Sequence, residues 1–310
     1  MKTDATRIQA HAPLGLASTI VVRPRTVADA CAFLADAAKA GTKAMLLAGG
    51  TDVIVDRHLM PVERAETVDM VIDVTSIDGF HGVDMIASAT EERIRLAGGV
   101  TYWDLRHDAI LTHLVPMLAV MAKDVGAVQI QTRGTLAGNI ASASPAADGV
   151  PALMALDANV TLASASGTRT VPLDGFFTAY RKTVMRPDEM ILDVDLRVPH
   201  RKALVKWRKV GTRLAQAISK VALASVIEVE GGKIKHARFG MASVAAVTHP
   251  LPSVRKYLEG RAVDAVVAAE LDAAVAADIK PIDDVRSTGR YRLHVAKALV
   301  RRALEPAETA

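Results

Sequence analysis

The chain has 310 residues, half of them hydrophobic and 23% charged, with 38 basic against 34 acidic residues. That is enough apolar material for a sizeable core, and it excludes a disordered chain. The basic residues are dispersed and only 4% of residues are aromatic, which disfavours a nucleic-acid surface built on base stacking. The single cysteine, Cys31, excludes a disulfide framework, a cysteine-rich zinc site and an iron–sulfur cluster on this chain. It lies in an amphipathic helical pattern and reads as a buried structural thiol. Residues 1–24 hold no unbroken apolar segment of the signal-peptide kind. No run approaches the ~20 apolar residues of a membrane span, so a soluble, cytoplasmic chain is expected.

In chain order, residues 18–22 predict a short strand and 26–40 a helix, with Thr26 as N-cap and Gly41 as its stop. Residues 43–48 form an apolar strand that runs into Gly49-Gly50-Thr51-Asp52, and a helical turn is expected from Val53. Residues 68–74 predict another strand, so the first portion is α/β. Short alternating runs such as 93–97 predict antiparallel strands, followed by helices over 101–105 and 111–123. Residues 126–148 are small and polar, rich in Gly, Ser and Thr, and read either as a loop over a ligand or as an ordinary long connection. Strands follow at 160–163, 167–171 and 191–198. Beyond about residue 200, a hairpin with a Gly231-Gly232 turn, helices at 253–258 and 262–277, and a last helix over about 290–304 capped by Ser287 or Thr288 predict a separate α+β unit.

No phosphate-binding Gly-x-x-x-x-Gly-Lys-Ser/Thr motif, no Gly-x-Gly-x-x-Gly after a first strand and no Gly-x-Ser-x-Gly is present, and the nine histidines have no metal-site spacing. What remains is a pair of Gly/Ser/Thr-rich turns, at 48–52 and 134–148. Each can offer backbone N–H groups to an anion, and the missing side chains of Gly49, Gly50 and Gly138 permit close approach. Thr51, Thr135, Ser142 and Ser144 add hydroxyls, and Asn139 can donate and accept. Singly each turn is weak; together they suggest a dinucleotide site outside the Rossmann scheme.

Three stretches, Leu46-Leu47-Ala48-Gly49-Gly50-Thr51-Asp52, Thr135-Leu136-Ala137-Gly138-Asn139-Ile140 and Ala143-Ser144-Pro145-Ala146-Ala147-Asp148, resemble the FAD-binding stretches of the flavoprotein (medium) subunits of molybdenum hydroxylases. This is the xanthine dehydrogenase and carbon monoxide dehydrogenase group. Phe176-Phe177-Thr178-Ala179-Tyr180-Arg181-Lys182-Thr183, Pro187-Asp188-Glu189-Met190-Ile191-Leu192 and Arg208-Lys209-Val210-Gly211-Thr212-Arg213 extend the resemblance, which runs in order from about Thr19 to Leu304. It implies an α+β fold: a two-part FAD-binding domain of the PCMH or vanillyl-alcohol-oxidase type over 19–199, split near 75, then a C-terminal domain of the CO dehydrogenase flavoprotein type over 200–310. Residues 1–18 would be an N-terminal extension without an assigned role.

The resemblance also implies residues. The pyrophosphate would lie on the backbone of residues 48–53, ending at Val53, and on Thr135, Gly138 and Asn139. Asp148 would make polar contacts to FAD, Val125 and Ile191 would flank the adenine, and Lys209 would be another flavin contact. Leu46, Leu47 and Ser144 belong to the same stretches. Core packing for Val125 and Ile191, and a solvated strand position for Lys209, stay open as plainer readings. Ala137 stands where many members have a second glycine. FAD would be non-covalent, because no His or Cys follows Gly49-Gly50 before His58. The molybdenum cofactor and 2Fe-2S clusters would sit only on partners, a molybdopterin-binding large subunit and an iron–sulfur small subunit. No catalytic acid or base would be needed here, and NAD+ or a quinone would be the acceptor. A free-standing flavin oxidoreductase of the same fold and a non-catalytic binding module are the alternatives.

Overall fold

Helix α1 (Val27–Ala40) begins where the Thr26 hydroxyl accepts a hydrogen bond from the Asp29 N–H, and it ends at Gly41, whose φ is 66°. Glycine takes that left-handed turn without a Cβ clash. Ala30, Cys31, Leu34 and Ala37 form its buried stripe. The structure is a computed structural model and describes residues 6–7, 19–59, 68–86 and 91–306.

Next to α1 is a four-stranded sheet made of β1 (Thr6–Arg7), β2 (Ile20–Val22), β3 (Ala44–Leu47) and β4 (Met70–Asp73), in the order β1-β2-β4-β3. β2 and β3 both run parallel to β4, as a strand–helix–strand sequence requires. β1 pairs antiparallel with β2, Thr6 opposite Val21. A two-residue strand leaves no periodic signal, so this pairing was invisible in the sequence. From β3 the chain turns through residues 48–52 into α2 (Val53–Leu59).

The second sheet is antiparallel throughout. Its strands β5 (Val83–Ile86), β6 (Arg93–Ala97), β7 (Asn159–Ser164), β8 (Gly167–Pro172) and β11 (Met190–Arg197) lie in the order β5-β6-β11-β7-β8, while β9 (Phe177–Ala179) and β10 (Lys182–Thr183) pair separately. Six helices link β6 to β7: α3 (Tyr102–His107), α4 (Ala109–Leu114), α5 (Pro116–Lys123), α6 (Val128–Gln131), α7 (Leu136–Ala141) and α8 (Gly149–Ala155). The helix expected over 111–123 is two helices. Val115 breaks it with φ −136° and ψ 58°, because Pro116 crowds the helical conformation of the residue before it. The segment 126–148, expected as loop, contains α6 and α7.

A third sheet of β12 (Leu204–Val210), β13 (Val221–Glu230) and β14 (Lys233–Ala242) is covered on both faces. Alternate residues of a strand face opposite sides. Ala222, Ala224 and Val226 join the core that also holds Leu105, Leu118, Met121 and Leu153, while Val221, Leu223 and Ile227 face the helices α9 (Pro252–Leu258), α10 (Ala268–Asp278) and α11 (Gly289–Ala303). α10 starts later than its sequence pattern suggests, after a short 3-10 turn at Val263–Ala265. Thr288 caps α11 through the Tyr291 N–H.

The tightest seam between α8 and the third sheet is at Gly240, where an added Cβ would stand 2.2 Å from the Pro151 carbonyl oxygen. Neither backbone can yield cheaply. Gly240→Ala is therefore expected to lower the urea midpoint by the equivalent of about 1–3 kcal/mol or more, and an unchanged midpoint would show that the seam is looser than it looks.

Candidate functional site

The two glycine-containing turns singled out from the sequence meet back to back. An added Cβ on Gly49 would lie 1.9 Å from the Arg133 carbonyl oxygen and 2.9 Å from the Gly134 nitrogen, so only glycine lets the turns approach this closely. The Arg133 Nε–H donates back to the Gly49 carbonyl at 3.2 Å. Gly50, with φ 73°, turns the chain so that its carbonyl accepts from the Ile54 N–H at 3.0 Å and starts α2.

The second turn is tied down with equal care. Thr101 bridges to Thr135, the Tyr102 N–H donates to the Gly134 carbonyl at 3.1 Å, and the Leu136 N–H donates to the Val100 carbonyl at 3.0 Å. Thr135 caps α7 by accepting from the Gly138 N–H at 3.0 Å. That N–H is engaged within the turn, so Gly138 contributes its lack of a side chain. Asn139 Oδ1 accepts from the Gly149 N–H at 3.1 Å, which leaves the amide NH2 as the donor end of that side chain.

A cavity of about 320 Å³ follows this seam. Of the residues expected to hold a ligand, Leu46, Ala48, Gly49, Gly50, Thr51, Asp52 and Val53 line it from the first turn, and Thr135, Gly138 and Asn139 from the second. Val125 and Ile191 also line it. Leu47, Ser144, Asp148 and Lys209 do not. Sequence reasoning missed Tyr102, Phe80, Ile130, Met185 and Met190, which also form the wall. The two turns contribute small and polar residues, the Asp52 carboxylate among them, and the other segments contribute mainly apolar ones. The register shift of β11 against β7 between Ile191 and Asp193 is a bulge of the kind that re-aims a side chain beside a site.

A buried carboxylate holds that apolar side in place. Glu189, with a side chain 1% exposed, accepts from Arg169 at 2.7 and 2.9 Å and from the Arg186 N–H at 2.7 Å. The Arg169 hydrogen bonds hold the Glu189 carboxyl below its ordinary range despite burial. This clamp fixes the turn immediately before Met190 and Ile191.

The turn-lined part suits a pyrophosphate through its small residues, the hydroxyls of Thr51, Thr135 and Ser142 and the Asn139 amide, with one carboxylate, Asp52, beside them. In addition, the buried Tyr102 hydroxyl finds no hydrogen-bond partner among the described residues. The apolar remainder suits ring systems. The family described as "FAD binding domain in molybdopterin dehydrogenase" matches residues 15–200, and "CO dehydrogenase flavoprotein C-terminal domain" matches residues 206–307.

The chain belongs to this flavoprotein family.

It is 30% identical to the carbon monoxide dehydrogenase medium chain of Hydrogenophaga pseudoflava, over 92% of this chain and 95% of that protein. It is 26% identical to the putative xanthine dehydrogenase FAD-binding subunit of Escherichia coli (strain K12), over 93% and 95%. The solved carbon monoxide dehydrogenase from Hydrogenophaga pseudoflava that lacks the Mo-pyranopterin moiety of its cofactor superposes with a TM-score of 0.84 at 26% identity, covering 92% of this chain and 95% of that one. The α+β architecture expected from the sequence is the architecture of this family, and the chain is an FAD-binding oxidoreductase subunit of the molybdenum hydroxylase class.

Within this family member, Asp148 and Lys209 form a buried pair off the cavity wall. Asp148 Oδ2 accepts from Lys209 Nζ at 2.5 Å, with side chains 11% and 8% exposed; Lys209 is not the solvated strand residue of the plainer reading. Lys209 also donates to the Asp124 carbonyl at 2.8 Å, and Trp207 Nε1–H donates to Asp124 Oδ2 at 2.8 Å. Burial pushes Asp148 up to about 6, against the pull of Lys209 and with a push from Asp124.

A carboxyl raised on folding binds its proton more tightly in the native state. Its ionisation therefore erodes stability as pH climbs from about 4 through about 6. Lys209→Met leaves Asp148 buried without its cation. The expected cost is about 3–5 kcal/mol at pH 8, where Asp148 must either hold an unpaired charge or take up a proton, and clearly less at pH 5, where it is already protonated. Urea unfolding at the two pH values measures this. A pH-independent cost would mean the pair contributes only packing.

Proposed function

We propose that this chain is the FAD-carrying electron-transfer subunit of a xanthine dehydrogenase-like molybdenum hydroxylase. In that role it takes electrons from iron–sulfur clusters on a small subunit and delivers them to NAD+ or another acceptor such as a quinone. A large subunit that binds molybdopterin would perform the substrate chemistry. The observation that supports the reading is the back-to-back contact of two glycine-containing turns along a cavity lined by small and polar residues of those turns and by mainly apolar residues from elsewhere.

The bound FAD supplies the redox chemistry, and the protein supplies position and electrostatics. Residues 48–53 and Thr135, Gly138 and Asn139 hold the pyrophosphate, with hydroxyl, amide and backbone groups in place of a lysine. Val125 and Ile191 flank the adenine. Phe80, Met185 and Met190 exclude water from the apolar part. Leu47, Ser144, Asp148 and Lys209 brace the wall, and Asp148 keeps one buried oxygen, Oδ1, without a partner among the described residues. Residues 19–199 form the FAD-binding domain, divided near 75, and 200–310 the C-terminal domain. Residues 1–18 are an extension whose strand at Thr6–Arg7 joins the first sheet. No helix of the described residues is long and apolar enough to cross a membrane, and the proposed location is the cytoplasm.

The purified chain is expected to show flavin absorption, and acid precipitation should release all the flavin into the supernatant. Gly50→Val should sharply reduce flavin occupancy, because a β-branched residue is strained at φ 73°. Flavin that stays with the precipitated polypeptide would contradict non-covalent binding. The wild-type chain is expected to co-purify with molybdenum and iron–sulfur subunits and to hydroxylate no heteroaromatic substrate alone. Multiple turnovers by the single, molybdenum-free chain would replace this reading with a free-standing flavin enzyme.

A further inference from the structure

The cavity wall carries a buried polar atom for which the described residues provide no partner. Tyr102 opens α3 and is 3% exposed, yet its hydroxyl has no hydrogen-bond partner among the described residues. A buried donor left unmade forfeits the whole desolvation cost of the group, whereas a phenylalanine would fill the same space at no such cost. The side chain is also held firmly. The Thr101–Asp104 capping box sets the start of α3, and the Tyr102 N–H is bound to the Gly134 carbonyl. One ring edge lies 3.4 Å from where a Cβ of Gly134 would stand, and the hydroxyl lies 3.2 Å from where a Cβ of Gly149 would stand.

Tyr102 thus spans the second turn and the start of α8, between the two segments that Asn139 ties together. Burial and the negative charges of Asp148 and Asp52 push its phenol well above the ordinary tyrosine range. The group stays protonated and needs an acceptor. On the same wall Thr51, Thr135 and the NH2 of Asn139 are further groups with protons to give, against one carboxylate, Asp52. An anionic oxygen is the acceptor that suits such a set.

We propose that Tyr102 is a further cofactor-binding residue of this site, donating its hydroxyl proton in a hydrogen bond to a phosphate oxygen of the FAD pyrophosphate. This rests on the reading of the cavity as the FAD site. The rival acceptor on the chain is Asp148 Oδ1, also buried and without a partner among the described residues.

The test is Tyr102→Phe in the full chain. Three quantities decide it: the Kd for FAD, the Kd for ADP (a pyrophosphate without the flavin), and the Tm of the flavin-free protein. The expected result is a rise of about tenfold or more in both Kd values, as for loss of a hydrogen bond to a charged group, with the apoprotein Tm unchanged or higher. Unchanged Kd values overturn the proposal. A weaker FAD complex with unchanged ADP binding also overturns it, by placing the hydroxyl at the flavin end. A fall in apoprotein Tm assigns the hydroxyl to Asp148 instead. Failure of the wild-type chain to bind FAD at all would overturn the site reading itself, an outcome separate from any effect of the variant.

Discussion

The site depends on a backbone contact. Gly49 lies so close to the Arg133 carbonyl that no side chain can come between them, and the cavity runs along the resulting seam. The turn at residues 48–52 leaves a parallel strand of the first sheet, whereas Gly134 and Thr135 belong to the helical insertion between β6 and β7. Two independently built pieces of chain therefore share one wall. The Arg133 guanidinium bonded to the Gly49 carbonyl and the bridge from Thr101 to Thr135 keep that wall in register from both sides.

Other parts of the molecule hold this seam at a fixed distance from its apolar counterpart. The Glu189–Arg169 clamp sets the turn before Met190 and Ile191, which line the cavity, and the register of β11 against β7 shifts directly after Ile191. Behind the second turn, Lys209 and Trp207 of β12 both reach Asp124, and Lys209 also pairs with Asp148 at the start of α8. Buried ion pairs add little net stability once desolvation is counted. What this one adds is geometry, since it couples the third sheet to the helix whose N-terminal Gly149 N–H donates to Asn139. The continuous core that runs from Leu105 to Ala242 provides the rest of that coupling through packing.

The division of labour among side chains is consistent with a subunit that carries a cofactor and leaves bond-making to other chains. Apart from the Asp52 carboxylate, the polar side chains on the wall are hydroxyls and an amide, groups that position an anion and do not relay protons at neutral pH. The strongly shifted titratable groups, Tyr102 and Asp148, are shifted mainly by burial, and they face the polar end of the cavity or stand behind it.

Local signals in the sequence were sufficient for much of this. The Thr26 cap and Gly41 stop of α1, the strand running into Gly49-Gly50-Thr51-Asp52, the Gly231-Gly232 hairpin and a cap for α11 at Ser287 or Thr288 are short-range patterns, and residue spacing alone reveals them. The Gly, Ser and Thr content of residues 48–52 and 134–148 singled out the turns that line the cavity, and the family resemblance, carried by whole stretches in order, named FAD as their ligand. The tertiary structure decided what depends on long-range approach. That Gly49 faces Arg133, 84 residues away, that Glu189 is clamped by Arg169, and that Lys209 is buried against Asp148 leave no periodic trace. Tyr102 read only as a position in a helix. Its hydroxyl acquired meaning once packing had buried it on the cavity wall, because an unmade hydrogen bond is a property of surroundings that only the folded chain creates.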